Sequence, residues 1–215
     1  MKKFLGAGGA SAIAAGLLLS VGGPGQALAQ QVNNLPVVQA VVKTAVSVSG
    51  PVMAAPNALT ADQAVARDAG VLQRAGWPLY ALVDRFSAGA PLTDEANCVA
   101  VAVYHEARGE SVEGQMAVAK VIMNRAASGQ YPASWCGVVK QPAQFSFVRH
   151  GRFPSVDRSS DEWRKALGVT RLAVANAVAS VPTTCLWYHA SYVAPRWRNN
   201  LTRVEKIGAH IFYRA

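Results

Sequence analysis

The sequence specifies a mainly α-helical (α+β) domain with a small β-hairpin region near its C-terminus. Apolar residues recur at three- and four-residue spacing in the stretches 61–76, 111–127 and 159–180, the period of a helix with one buried face. Hydroxyl residues stand immediately before such runs, with acids in the first turn that follows, which is how a helix start is written. The last thirty residues alternate aromatic, polar and charged positions instead, a pattern that suits loops and a short strand pair.

Taken in order, residues 1–29 have the three parts of a secretory signal peptide: MKKF, an apolar run from Leu5 to Val21, and GGPGQALAQ with Ala27-Leu28-Ala29 ahead of the cleavage point. The run is rich in Gly and Ala and shorter than the roughly 20 residues of a spanning helix. Export with cleavage is therefore expected, placing the protein in the periplasm or cell envelope with no stable membrane span. Residues 30–60 hold one charge and no aromatic residue and read as a flexible spacer. Residues 61–93 read as a helical lead-in: an amphipathic helix over 61–76, then Trp77, Leu79, Tyr80, Leu82 and Phe86, which bring bulk that a spacer does not need.

Residues 94–215, about 120 residues, are enough for one compact domain. Thr93 caps a first helix through ANCVAVAVYHEAR, stopped by Gly109, although the alternation of Val99, Val101 and Val103 fits a strand as well. Ser111 caps the second helix, SVEGQMAVAKVIMNRAA. A third begins at Ser159 or Ser160 and is closed by Pro182. Residues 140–158, rich in Pro, Gly, Arg and aromatic residues, read as loop.

Composition limits the partners. The chain carries 21 basic and 12 acidic residues, and removal of Lys2 and Lys3 with the leader leaves a formal charge of +7. Such a cation suits an anionic partner. For an exported chain that partner is cell-wall polymer or lipid headgroup and not nucleic acid. The three cysteines, Cys98, Cys136 and Cys185, lie in an oxidising compartment if the chain is exported, giving one bridge and one thiol with three pairings open.

The chemistry centres on YHEARGE, residues 104–110. His105-Glu106 opens the zinc-protease pattern His-Glu-x-x-His, but its second histidine is replaced by Gly109. His150, His189 and His210 are scattered, so no metal and no cofactor are expected. On a helix, Val99, Ala102, Val103 and Glu106 share a stripe, so the carboxyl emerges from an apolar face. Desolvation raises its pKa, and a charged Glu110 one turn on pushes the same way. A carboxylic acid that stays protonated near neutral pH is what glycosidic cleavage requires. An ion pair of Glu106 with Arg108 or Arg125 is the competing reading. The runs Gln144-Phe145-Ser146-Phe147 and Trp187–Tyr192 combine flat apolar faces with hydrogen-bonding tips, as sugar rings demand, although such rings also serve as core.

Six ordered blocks then carry a resemblance: YHEARGE (104–110), GQMAVAKVIMNR (114–125), YPASWCGVV (131–139), QFSF (144–147), WYHASYVAPRW (187–197) and KIGAHIFY (206–213). Together they resemble the SleB family of cell-wall hydrolases. The resemblance implies a lysozyme-like lytic transglycosylase fold acting on peptidoglycan glycan strands, with a glycoside hydrolase or a non-catalytic wall-binding protein as the alternatives; a monomer is expected. The resemblance also implies Glu106 as the catalytic acid, Tyr104, Gln144, Phe145, Ser146, Tyr188 and His189 along the substrate, and Glu110, Arg108 and Arg125 as supports. It favours a Cys98–Cys136 bridge with Cys185 left over. Family members often carry cysteines on either side of the QFSF block, where this chain has Ala143 and Val148-Arg149.

Overall fold

The structure, a computed structural model, describes residues 59–215. The expected leader and most of the expected spacer lie outside these residues. Among the described residues six α-helices are followed by a small sheet, so this part of the chain is mainly α with a β element after the helices.

Each long helix starts on a side-chain cap. In α1 (Ala61–Arg74) Thr60 Oγ1 accepts from the Gln63 N–H at 3.2 Å while Gln63 Oε1 accepts from the Thr60 N–H at 2.9 Å, a reciprocal capping box. A short α2 (Leu79–Arg85) follows. Thr93 caps α3 (Asp94–Ala107), Ser111 caps α4 (Val112–Ala127), Ser134 caps α5 (Trp135–Lys140) and Ser160 caps α6 (Asp161–Val174). The last helix ends earlier than Pro182 requires, because Asn176 turns left-handed at φ 49° just after it. Neither α2 nor α5 was expected from periodicity.

The strand alternative for 94–107 disappears because α3 is the axis of the core. Val99, Ala100, Val101, Ala102 and Val103 are all buried. A helix buried on every side loses its amphipathic period, so Val-Ala alternation there only records packing size. Its small residues let α4, α5 and α6 pack around it. A disulfide ties Cys98 of α3 to Cys136 of α5 across 38 residues, with the Cα atoms 5.2 Å apart. Closing a loop of that length stabilises by about 4 kcal/mol in the chain-entropy description. Cys185 is free and buried, and burial pushes its thiol up to about 11, which disqualifies it as a nucleophile.

The lead-in helices pack on α6. Arg171 fastens the loop that follows α2, its Nη1 donating to the carbonyls of Phe86 and Ser87 at 3.1 and 2.9 Å and its Nη2 to Ala90 at 2.9 Å.

At the C-terminus β1 (Trp187–Ala190), β2 (Thr202–Ile207) and β3 (His210–Arg214) form a three-stranded antiparallel sheet in the order β1-β3-β2. The expected strand pair is the β2–β3 hairpin, and β1 adds an edge across a long connection. Register sets Tyr188 opposite Phe212 and His189 opposite Ile211. Phe212 is wholly buried and roots the sheet in the helical core. The segment leading into β1 is held by α4: Asn124 Nδ2 donates to the carbonyls of Pro182 at 2.9 Å and Cys185 at 3.1 Å, and Arg125 Nε to that of Leu186 at 2.7 Å.

Residues 140–158 are mainly turns, with one narrow bridge between Arg149 and Arg152. No cysteine is present at 143 or 148–149 to brace this segment. Phe145, Phe147 and Phe153 pack against one another instead, with centroids 5.7 and 6.3 Å apart in succession.

α2 and α6 approach closely at Gly168, where a Cβ would overlap the Val83 carbonyl of α2. Gly168→Ala should therefore destabilise the protein by about 1–3 kcal/mol despite alanine's better helix propensity, measured by urea unfolding; equal or greater stability would show that α2 does not hold its place against α6.

Candidate active site

Glu106 sits in the last turn of α3, and Gly109, left-handed at φ 93°, turns the chain away just beyond it. Its carboxyl lines a cleft of about 620 Å³ whose walls are Arg125 of α4, Tyr131, Gln144 of the 143–146 turn, and Trp187, Tyr188, His189 and His210 of the sheet. Among the described residues no basic side chain lies within ion-pairing distance of Glu106. Burial raises its pKa above the ordinary carboxylate range, since a charged carboxylate loses hydration there without gaining a partner.

Both arginines that might have paired with it are engaged elsewhere. Arg108 is exposed and lies over the Tyr104 ring, 5.2 Å from its centroid. Arg125 is 6% exposed. Besides its bond to Leu186 it offers Nη1 to Gln144 Oε1 at 3.4 Å and stacks over Tyr131 at 5.0 Å. It thus joins three walls of the cleft and remains a cation facing it. Tyr188, beside Glu106, is kept protonated: burial drives its pKa far up, the Glu106 charge adds to this, and Arg125 opposes. The phenol is therefore a hydrogen-bond donor throughout the physiological range.

Glu110 does not act on Glu106. Its Oε2 accepts the Ala209 N–H at 2.8 Å, and the Glu110 carbonyl accepts from Gln115 Nε2 at 3.1 Å. Gly208 makes this clamp possible, because its φ is 57° and any Cβ would fall on the Glu110 carboxylate. Glu110 Oε1 also faces His210 Nδ1 at 4.0 Å. His210 is itself buried, its Nδ1 has no hydrogen-bond partner, and its ring meets Tyr188 edge-on at 5.3 Å. Burial lowers the His210 pKa, Glu110 draws it back up and His189 lowers it further. The carboxylate thus braces the β2–β3 turn against the end of α3, fixing the sheet wall of the cleft.

The remaining residues expected along the substrate divide. Gln144, Tyr188 and His189 share the cleft with Glu106. His189 has both ring nitrogens occupied: Nδ1 meets the Ala190 carbonyl at 2.9 Å and Nε2 the Tyr213 hydroxyl at 2.9 Å. A carbonyl only accepts, so Nδ1 is the donor there, and in the neutral ring Nε2 then receives the phenol. Ser146 lies on a neighbouring groove with Phe147. Tyr104 and Phe145 are in the core, 6% and 2% exposed. Tyr104 packs edge-on against Trp163, and its hydroxyl accepts from the Asp157 N–H at 3.4 Å. These two, expected along the substrate, lie off the cleft, and their aromatic bulk fills space behind it.

Tyr192, from the Trp187–Tyr192 run, lines the cleft too, together with Tyr131, Trp197 and His210, which the sequence reading does not place along the substrate. The signal for them was present, since each falls within one of the quoted blocks. Among the described residues Glu106 is the one carboxylate on the cleft: Glu113 lies on another groove with Trp77 and Tyr80, and Asp157 accepts from the N–H and hydroxyl of Ser159 at 3.0 and 2.6 Å. No three His, Cys, Asp or Glu side chains converge among the described residues.

Residues 109–213 match the family model described as Cell Wall Hydrolase. The chain is 31% identical over 122 residues to a spore cortex-lytic enzyme of Oceanobacillus iheyensis, covering 55% of this chain and 41% of that one. It is likewise 31% identical over 119 residues to the Bacillus subtilis enzyme of the same name, with 55% and 37% covered. The chain thus spans less than half the length of these relatives. Among solved structures, it is similar to the catalytic domain of the germination-specific lytic transglycosylase SleB from Bacillus anthracis, at 29% identity and TM-score 0.47 over 59% of this chain and all of that one. For the catalytic domain of Bacillus cereus SleB the values are 30% and 0.47, over 60% of this chain and 96% of that one. Over residues 109–213 the chain is thus similar to cell-wall hydrolases, and over 119–122 residues to spore cortex-lytic enzymes.

Proposed function

We propose that this protein is an exported enzyme that cleaves the β-1,4 bond between N-acetylmuramic acid and N-acetylglucosamine in peptidoglycan, as a lytic transglycosylase with Glu106 as its acid and base. The observation that carries the reading is that, among the described residues, Glu106 is the one carboxylate on the cleft, without an ion-pair partner and with its pKa raised by burial. Similarity to cell-wall hydrolases over 109–213 supports the substrate class, and because the matched span begins at Gly109 the role of Glu106 rests on the geometry of α3.

In this mechanism the protonated Glu106 donates its proton to the glycosidic oxygen as the bond to the muramic C1 breaks. The carboxylate so formed takes the proton of the muramic 6-hydroxyl while that oxygen bonds to C1, closing a 1,6-anhydro ring and restoring the acid. One carboxyl serves both steps. A hydrolase of the usual two-carboxylate kind needs a partner about 5–9.5 Å away, and neither Glu110, Glu113 nor Asp157 lines the cleft. Arg125 and the Tyr188 hydroxyl, facing the same space, supply hydrogen-bond donors for the hydroxyl and N-acetyl carbonyl oxygens of the bound sugars.

Glu106→Gln should abolish clearing of a peptidoglycan suspension, with a loss of at least about 10³-fold, while leaving the circular-dichroism spectrum unchanged. Mass spectrometry of wild-type products should find anhydromuramic ends; reducing ends alone would overturn the transglycosylase assignment.

The raised pKa also has a stability sign. Between the unfolded value and the higher folded value the native state binds more protons, so stability falls as pH rises through that window. Glutamine carries no such cost. Glu106→Gln should match the wild-type Tm in acid and exceed it increasingly as pH climbs past the ordinary carboxylate range; wild-type activity should decline over the upper part of the same window as the acid form is lost. A Tm difference independent of pH would count against a buried, unpaired Glu106.

A further inference from the structure

Beside the Glu106 cleft, on the other side of the 144–147 turn, runs a groove of about 490 Å³ lined by Ser146, Phe147, Arg149, Arg152, Phe153 and Pro154. The turn separates the two spaces, with Gln144 lining one and Ser146 the other. Phe147, on the groove, stacks on His105, the neighbour of Glu106, with centroids 4.9 Å apart and planes 24° from parallel.

Arg149 and Arg152 are held together by their own backbone. Each N–H donates to the other's carbonyl, at 3.1 and 2.9 Å, around His150 and Gly151, both left-handed at φ 53° and 70°. That is a tight two-residue hairpin turn. Residues directly opposite in an antiparallel bridge project to the same face, and like charges there repel. Among the described residues no carboxylate lies within 4.0 Å of either guanidinium. The nearest acid in sequence, Asp157, is turned to Ser159. A third cation, the Lys140 ammonium, sits 5.3 Å from the Phe153 centroid, over a wall of the same groove. Three cations with no acid among them are set around an apolar floor made of aromatic rings.

We propose that Arg149 and Arg152 bind carboxylates of the peptide stem that hangs from a muramic sugar held in the Glu106 cleft. This rests on the reading of the cleft as a glycan site and adds a substrate class to it: glycan still carrying its peptides, in preference to bare sugar chain. Chemistry favours the stem because a sugar strand lying in the cleft projects its lactyl-linked peptide sideways. A carboxylate matches the guanidinium fork with paired N–H donors, and the aromatic floor receives the aliphatic parts of the peptide.

The experiment uses the full chain carrying Glu106→Gln, so that ligand is not consumed, and isothermal titration with two probes: the N-acetylglucosamine–N-acetylmuramic acid disaccharide bearing its tetrapeptide, and the same disaccharide without it. The stem should tighten binding by at least about tenfold, the range of charge-assisted hydrogen bonds. Adding Arg149→Ala and Arg152→Ala should remove that ratio, and Arg149→Lys with Arg152→Lys should restore part of it, since the charge returns without the paired geometry. Equal affinity for the two probes, or a stem effect that survives the alanine pair, would overturn the proposal. So would a poly(glycerol phosphate) probe that binds through the same arginines more tightly than the tetrapeptide, which would assign the groove to phosphate polymer. Failure of the cleavage reading shows separately, as suspension clearing that Glu106→Gln leaves intact, and does not disturb the comparison of the two probes.

Discussion

The structure depends on burying the middle of one helix on every side. α3 presents no polar face over Val99–Val103, so every neighbouring helix must come to it, and its alanines let them come close. Burial on this scale yields a large hydrophobic gain. It also dictates what a polar residue in the same helix must be. Glu106 is the first acid to follow the buried run, and it has neither full hydration nor a counter-ion. A carboxyl placed there by the packing of α3 behaves as an acid because of where the helix leaves it.

The cleft is then assembled around that carboxyl by side chains whose partners are backbone atoms. Asn124 and Arg125 seize three carbonyls of the 182–186 segment, and Glu110 seizes the Ala209 N–H. Bonds of this kind fix where a strand begins without fixing which side chains it carries. The wall residues of β1 and its following loop are thereby held in place by groups that need not touch substrate. Arg125 belongs to both sets, as a strut to Leu186 and as a cation on the cleft.

Much of this was legible in the sequence where the cause is local. Thr93, Ser111 and Ser160 mark helix starts because a cap is a contact three residues long. The position of Glu106 on an apolar stripe follows from helical spacing once a helix is granted. What spacing could not decide was the helix itself, because burial on all faces erases the period. Two helices of six and seven residues escaped notice for want of enough turns to show one. Tyr104 and Phe145 illustrate the other limit. An aromatic residue in a motif serves the surface or the core equally well, and only the arrival of Trp163 and the Asp157 backbone decides for Tyr104. Likewise the spacing of Glu106 and Glu110 suggests mutual repulsion, but the hairpin turn claims Glu110 from 99 residues away.

That separation orders events in time. The acid-bearing helix and its capping contacts are local and can form as soon as residues 93–128 are available, whereas the clamp on Ala209 must wait for a loop of nearly a hundred residues to close, which is slow and entropically costly. A chain made from its N-terminus therefore carries Glu106 long before it has a cleft around it. Ala209 lies 99 residues beyond Glu110, so the wall opposite the acid is completed only after that whole stretch has been made, and a chain cut short of it has the acid without the site.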